Sequence, residues 1–152
     1  DQVIVAVSES FNKNYLFSTE ERISIIKDSL YKDLKFDKKK VKIVSFNNLT
    51  TSLCKKYNSK IILRGLRAVS DFEYEFQLAG MNKKLNSGIE TVFVMSNLEN
   101  QIISSKFVKE IMELQGDISK FVTKSTIRAL KERIKWENFC FLFYLFFFQQ
   151  IY

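Results

Sequence analysis

The sequence contains no histidine and no proline, and only two cysteines and four glycines among its 152 residues. Without histidine the chain cannot form a Ser-His-Asp triad, and the commonest nitrogen ligand of zinc sites is missing. The two cysteines, Cys54 and Cys140, provide neither a disulfide framework nor the close spacing of a metal motif. These absences exclude several hydrolase and zinc chemistries, and the cysteine usage favours a reducing, cytoplasmic compartment.

The composition is that of a globular chain. Hydrophobic residues make up 46% of it and charged residues 27%, and the length suits one domain with its own core. The formal net charge is +7, which is compatible with an anionic ligand, with a nucleic-acid surface or with solubility alone. The chain opens on an apolar strand pattern rather than on a secretory signal, and it shows neither repeats nor a Gly/Ser/Pro-rich linker.

Apolar segments of strand length alternate with segments of helical spacing. The predicted strands are 3–7, 41–46, 61–63 and 91–95, and the predicted helices are one that follows Ser18, then 48–57, 70–86, 105–114 and 123–134. Ser18 and Glu21 form a capping-box pattern, and Gln115-Gly116 is a helix-stop pattern. Four such alternations with short connections predict an α/β fold with a parallel sheet covered by helices.

The end of the chain, FCFLFYLFFFQQIY, carries an uninterrupted apolar run over residues 139–148. A bilayer-spanning helix needs about twenty residues, so the run is too short to cross a membrane. It also lacks the polar face of an interfacial helix. We interpret the segment as an extension outside the folded domain, and membrane association is the alternative.

The motif Arg64-Gly65-Leu66-Arg67 follows the third predicted strand, at the end where parallel sheets bind ligands. Two guanidinium groups at positions i and i+3 can surround phosphate oxygens. Gly65 allows a tight turn and a close backbone approach. The motif indicates a phosphate site, although arginines near turns are also common on protein surfaces.

Glu75 lies within the predicted helix 70–86, one turn from apolar residues on either side. Ser70 and Glu73 match a capping box, which gives Glu73 a structural role. A buried Glu75 carboxylate would need a partner, and an upstream arginine or a ligand hydroxyl is the candidate. An exposed glutamate at the edge of the helix is the alternative.

The segment from Gln101 to Lys106 joins the fourth predicted strand to the next helix. Serine hydroxyls at a helix start cap the backbone, and free amide groups there bind anions. The segment is therefore a second candidate phosphate site, although capping alone also explains Ser104 and Ser105.

Three segments together, RGLRAVSDFEYEFQLAGMNKKL, ETVFVM and ISSKFVKEIMELQGDISKFV, resemble phosphopantetheine adenylyltransferase, the nucleotidyltransferase of coenzyme A synthesis. The resemblance runs from Asp1 to about Ile134. It implies a Rossmann-like parallel sheet with helices on both faces over residues 1–135, and a non-family tail over residues 136–152.

The resemblance also implies an activity and partners. The expected reaction transfers AMP from ATP, bound with Mg²⁺, to 4'-phosphopantetheine, with coenzyme A as a feedback ligand. The expected assembly is a homo-oligomer, a hexamer in the family, in the cytoplasm. We expect neither nucleic-acid nor membrane binding, since the chain shows no stacking motif or basic recognition helix.

Individual site residues follow from the same resemblance. Lys13 and Arg67 are the expected catalytic cations, and no protein ligand for a metal is identified. Phosphopantetheine is expected at Lys13, Thr50 and Arg64, and ATP at Gly65, Leu66, Arg67, Glu75, Asn100, Gln101, Ile102, Ile103, Ser104, Ser105 and Lys106.

The sequence departs from the family pattern in several places. The family's first strand and its T-x-G-H motif are expected upstream of Asp1, so this chain lacks the threonine and histidine of that motif. Lys106 replaces a serine, Asn100 an aromatic residue and Asn14 a lysine. The alternative function is therefore an inactive fragment that retains at most nucleotide or coenzyme A binding.

Overall fold

The computed structural model describes residues 1–9 and 15–134, apart from the side chain of Ser70. Lys13, Cys140 and the Phe-rich tail lie outside the described residues. The chain forms two compact units, one made of Asp1–Ser45 with the chain from Ser105 onward, and the other of Phe46–Ser104.

The described elements alternate between strands and helices. In chain order they are β1 (Val3–Ser8), α1 (Thr19–Lys27), β2 (Val41–Phe46), α2 (Thr50–Lys56), β3 (Ile61–Leu66), α3 (Val69–Leu85), β4 (Glu90–Met95), α4 (Leu98–Gln101), α5 (Ser105–Glu113) and α6 (124–134). This order confirms the predicted Rossmann-like α/β class. None of the helices in the described part of the chain combines the length and apolarity that crossing a bilayer requires.

The first unit contains β1, α1, residues 41–45 of β2, α5 and α6, and β1 pairs with β2 in a two-stranded sheet. The predicted capping box is confirmed, since Ser18 Oγ accepts from the Glu21 backbone N–H at 3.2 Å and Glu21 Oε2 accepts from the Ser18 N–H at 2.7 Å. A π-helical turn, Asp28–Asp33, continues α1 without a break. The buried apolar side chains of this unit are Val7, Val41, Ile43, Val108, Ile118 and Leu130.

The start of α6 is capped by a residue that is distant in sequence. Asp33 Oδ2 accepts a hydrogen bond from the Ser125 backbone N–H at 2.8 Å. Ser125 lies in the first turn of α6, where backbone N–H groups have no partner within the helix. This hydrogen bond is the main reason that the pKa of Asp33 lies below its usual value. The Asp33 carboxylate therefore fixes the π-helical turn to α6.

Replacing Asp33 by asparagine is expected to destabilise the protein at neutral pH. Because folding depresses the pKa of Asp33, its contribution is complete above the unfolded value of about 3.9 and disappears as the pH falls through the folded value. Urea unfolding at a series of pH values should show the gap between wild type and Asp33→Asn closing on acidification. Glu113→Gln, an exposed charge loss in the same unit, is the control. A gap that stays constant down to low pH would contradict this role.

The second unit is built on a parallel pair of strands. β3 and β4 pair in register from Ile61 with Glu90 to Leu66 with Met95. α3 packs against both strands, and Cys54, Ile62 and Ile89 form a buried cluster. Burial raises the pKa of the Cys54 thiol, so this cysteine stays protonated and acts as an apolar side chain.

The structure corrects the sequence at the junction between β3 and α3. The strand continues to Leu66 instead of ending at Leu63. α3 begins at Val69, with Ala68 at the N-cap and no side-chain capping bond, so the predicted Ser70–Glu73 capping box is wrong. The helix starts earlier because the extended Ala68 backbone accepts the first helical N–H, from Asp71 at 3.1 Å.

The end of α5 also differs in detail from the prediction. α5 stops at the expected place, but the left-handed residue is Gln115, with φ 61°, and not Gly116. Gly116 instead donates its N–H to the Ile111 carbonyl at 2.8 Å. A Cβ at Gly116 would lie 2.6 Å from Ile111 Cγ2, so the glycine serves close approach and not an unusual φ.

Candidate active site

Arg64 and Glu75 form a bidentate ion pair between β3 and α3. Arg64 Nε donates to Glu75 Oε2 at 2.6 Å, and Arg64 Nη2 donates to Glu75 Oε1. Arg64 shares a strand face with Ile62 and Leu66, which points it toward α3. Glu75 is 9% exposed, although aromatic neighbours on the same helix, Tyr74 and Phe76, are 66% and 62% exposed. The carboxylate thus lies on the buried side of α3 because Arg64 compensates its charge.

The ion pair leaves Arg64 available to a ligand. The hydrogen bonds that Arg64 donates to Glu75 raise the pKa of Arg64, so the guanidinium stays charged at every physiological pH. A guanidinium has five N–H donors, and the pair with Glu75 uses one on Nε and one on Nη2. The side chain of Arg64 is 40% exposed. Counted over contacts with the described residues, three donors therefore remain for an anion, in the orientation that the ion pair imposes.

Arg67 is the first residue after β3, and it is bound by Asp71. Arg67 Nε donates to Asp71 Oδ2 at 3.1 Å, and the Arg67 backbone N–H donates to the same oxygen at 3.2 Å. A weaker contact of 3.5 Å joins Arg67 Nη2 to Asp71 Oδ1. The guanidinium lowers the pKa of Asp71 through these hydrogen bonds, so Asp71 is ionised at neutral pH.

Arg67 also connects the end of β3 to the segment that follows α4. Its Nη1 donates to the Ile103 carbonyl oxygen at 3.3 Å. Asn100 and Gln101 lie in α4, and Gln101 Nε2 donates to the Ser96 carbonyl at 3.1 Å. The second predicted phosphate segment is thus fixed to β4 and to Arg67 by side-chain hydrogen bonds.

The structure gives Gly65 and Leu66 different environments from those the sequence predicted. Both belong to β3, and Gly65 has no positive φ, so the predicted tight turn is absent. A Cβ at Gly65 would meet nothing within 4 Å, so open space lies over this position. The Leu66 side chain is 4% exposed and belongs to the core.

The remaining predicted residues lie in both units or outside the described residues. Thr50 is the first residue of α2, in the same unit as Arg64. Ser105 and Lys106 open α5 in the other unit, while Lys13 lies outside the described residues. The structure therefore brings together Arg64 with Glu75, and Arg67 with Ile103, within Phe46–Ser104.

Sequence reasoning missed Asp71. A usable signal was present, since Arg67 and Asp71 stand at i and i+4, a spacing that brings opposite charges together near a helix start. Over residues 1–9 and 15–134, no cluster of three histidine, cysteine, aspartate or glutamate side chains is arranged to hold a metal ion.

Comparison with known proteins assigns the chain to a broad family. Residues 1–111 match the family model described as cytidylyltransferase-like. This match includes both arginines, Glu75 and the 100–106 segment.

Similar proteins of known name share one designation. A phosphopantetheine adenylyltransferase of Pelagibacter ubique (strain HTCC1062) is 69% identical over 133 residues, which cover 88% of this chain and 81% of that protein. Proteins of the same name from Cupriavidus taiwanensis and Staphylococcus carnosus are 46% and 42% identical, each over 88% of this chain and 80% of the relative.

Proposed function

We propose, from the premise that this chain belongs to the phosphopantetheine adenylyltransferases of the cytidylyltransferase-like family, that it joins AMP from ATP to 4'-phosphopantetheine. The products are dephospho-coenzyme A and pyrophosphate. The chain is accordingly a nucleotidyltransferase of coenzyme A biosynthesis.

The observation that carries the proposal is the Arg64–Glu75 pair. A guanidinium two residues before the carboxyl end of a parallel strand, charged and fixed by a buried carboxylate, is suited to bind a phosphate with its remaining donors. We assign Arg64, with Lys13 and Thr50, to the phosphate and arm of phosphopantetheine. Both substrates are anionic, which fits the formal net charge of +7.

The ATP site is assigned to the strand end and the segment after α4. Arg67 and Ile103 are joined by a hydrogen bond, and Asn100 and Gln101 lie in α4, shortly before Ile103. We assign the triphosphate to these residues together with Gly65, whose open surroundings admit a ligand close to the backbone. Ser104, Ser105 and Lys106 complete the proposed phosphate segment, and we also assign Glu75 to the ATP site.

The chemistry requires cations and no protein nucleophile. An oxygen of the phosphopantetheine phosphate attacks the α-phosphorus of ATP, and the bond to the β-phosphate breaks to release pyrophosphate. Charge moves between the phosphates in the transition state, so fixed guanidinium and ammonium groups lower the barrier. We assign this task to Arg67 and Lys13, with Mg²⁺ entering as the Mg–ATP complex.

We also propose a domain range, an assembly, a compartment and a feedback ligand for the enzyme. Residues 1–135 form the catalytic domain, which acts as a homo-oligomer in the cytoplasm, with a hexamer as the specific assembly. Coenzyme A, which contains the same phosphopantetheine arm, is the proposed feedback ligand. Size-exclusion chromatography with light scattering, with and without coenzyme A, tests the assembly.

Pyrophosphate release by the full chain tests the activity. With ATP, Mg²⁺ and 4'-phosphopantetheine, we expect pyrophosphate and dephospho-coenzyme A in equal amounts. Pantetheine, which lacks the attacking phosphate, is the control and should give no pyrophosphate. Release without phosphopantetheine would contradict the proposed acceptor. Calorimetric binding of ATP without turnover would support the alternative, a chain that binds nucleotide but does not catalyse.

A further inference from the structure

Asp71 contacts Arg67 at three nitrogen atoms, namely the backbone nitrogen, Nε and Nη2. One of its oxygens accepts from both the backbone and the side chain of Arg67, and the other lies 3.5 Å from Nη2. On the far side of the guanidinium, Nη1 donates to the Ile103 carbonyl. The guanidinium is therefore held between a carboxylate at the start of α3 and a carbonyl beyond α4.

We propose that Asp71 is the positioning residue for Arg67, an inference that rests on the proposed function of this site. A free arginine side chain samples many rotamers, and ordering it costs rotamer entropy. Contacts at Nε, Nη1 and Nη2 select one orientation before the nucleotide arrives. Within the described residues these contacts use one N–H donor on each nitrogen, which leaves one donor on each terminal nitrogen for a phosphate oxygen.

This arrangement links two segments that the family resemblance assigns separately to ATP. Arg67 ends the first segment and Ile103 belongs to the second. By ordering Arg67, Asp71 helps to maintain the hydrogen bond that joins the two segments. The effect of Asp71 on ligand affinity should therefore pass through Arg67 and should concern the phosphates rather than the adenosine.

The test is a double-mutant cycle on ATP binding. Asp71→Asn is expected to weaken Mg–ATP binding about ten-fold by calorimetry, to leave AMP binding within about two-fold, and to leave phosphopantetheine binding unchanged. In an Arg67→Ala background the same Asp71 substitution should have almost no effect. Glu73→Gln, an exposed charge loss on the same helix, is the matched control and should change neither ligand.

A ligand-free measurement completes the test. The Arg67 Nε–H signal in NMR should be protected from exchange in the wild type and in Glu73→Gln, and averaged in Asp71→Asn. Equal losses of ATP and AMP affinity, or an unchanged Asp71 effect without Arg67, would show a merely structural role. A wild-type chain that fails to bind ATP would also overturn the inference, whereas ATP binding without turnover would reject only the proposed reaction.

Discussion

Replacing Arg64 by alanine is expected to weaken 4'-phosphopantetheine binding by about a hundred-fold, with a much smaller change in ATP affinity. The substitution removes the guanidinium that we assign to the ligand phosphate, including the three N–H donors that its pair with Glu75 does not use. It also leaves the Glu75 carboxylate uncompensated, so a repulsive charge replaces an attractive one. Calorimetry with each substrate measures the two losses separately.

Two variants separate charge from geometry in this prediction. Arg64→Lys keeps the positive charge but cannot form the bidentate pair, so we expect an intermediate loss. Lys84→Ala removes an exposed positive charge from the same helix that carries Glu75, and it should leave phosphopantetheine affinity within about two-fold. Equal losses for ATP and phosphopantetheine in Arg64→Ala would refute the assignment of Arg64 to the acceptor.

The Arg64→Ala substitution should also lower the free energy of unfolding. An unpaired buried polar group costs about 1–3 kcal/mol, so Arg64→Ala should lower the unfolding free energy by an amount in that range. Adding Glu75→Gln removes the orphaned charge and should restore part of the stability without restoring ligand affinity. A double variant that recovered binding would show that Arg64 does not contact the ligand.

Replacing Ile62 by alanine is expected to lower the free energy of unfolding by about 2–5 kcal/mol, the usual range for removing a large buried side chain. Ile62 is 8% exposed and packs with Cys54 and Ile89 in the core below β3. Urea unfolding followed by far-UV circular dichroism measures the loss. Because β3 carries Arg64, the variant should also weaken phosphopantetheine binding.

The preceding residue provides a matched control. Ile61 has the same side chain on the same strand, but it points to the opposite face and is 59% exposed. Ile61→Ala should cost less than about 1 kcal/mol, through strand propensity alone. Similar losses for both variants would mean that the cluster around Ile62 does not stabilise this unit.

The sequence predicted the elements well, because long periodic segments determine their own type. It misplaced the end of β3, since Arg64 and Gly65 interrupt the apolar run and local composition suggests a turn. Pairing with β4 carries the strand on to Leu66. Hydrogen bonds to a partner strand are a tertiary contribution that composition does not contain.

The candidate site, like the fold, was predicted only in part from the sequence. The sequence indicated that a buried Glu75 would need a partner, either an upstream arginine or a ligand hydroxyl, because an unpaired buried charge is unstable, and the structure supplies Arg64. It did not identify Asp71, because the predicted capping box assigned the start of α3 to Ser70 and Glu73. The ligand roles of these residues remain predictions that the binding experiments address.

The pairing register of β3 has a consequence for how this segment can diverge. Arg64 lies opposite Phe93 in the pairing of β3 with β4. Its side chain points toward Glu75 because it stands two residues after the buried Ile62, and side chains two apart in a strand share a face. Gaining or losing a single residue inside the strand would turn Arg64 to the other face and exchange every buried side chain for an exposed one. A substitution in β3 keeps the alternation of side chains between the two faces, whereas an insertion or deletion reverses it. The length of β3 should therefore diverge more slowly than its amino acids.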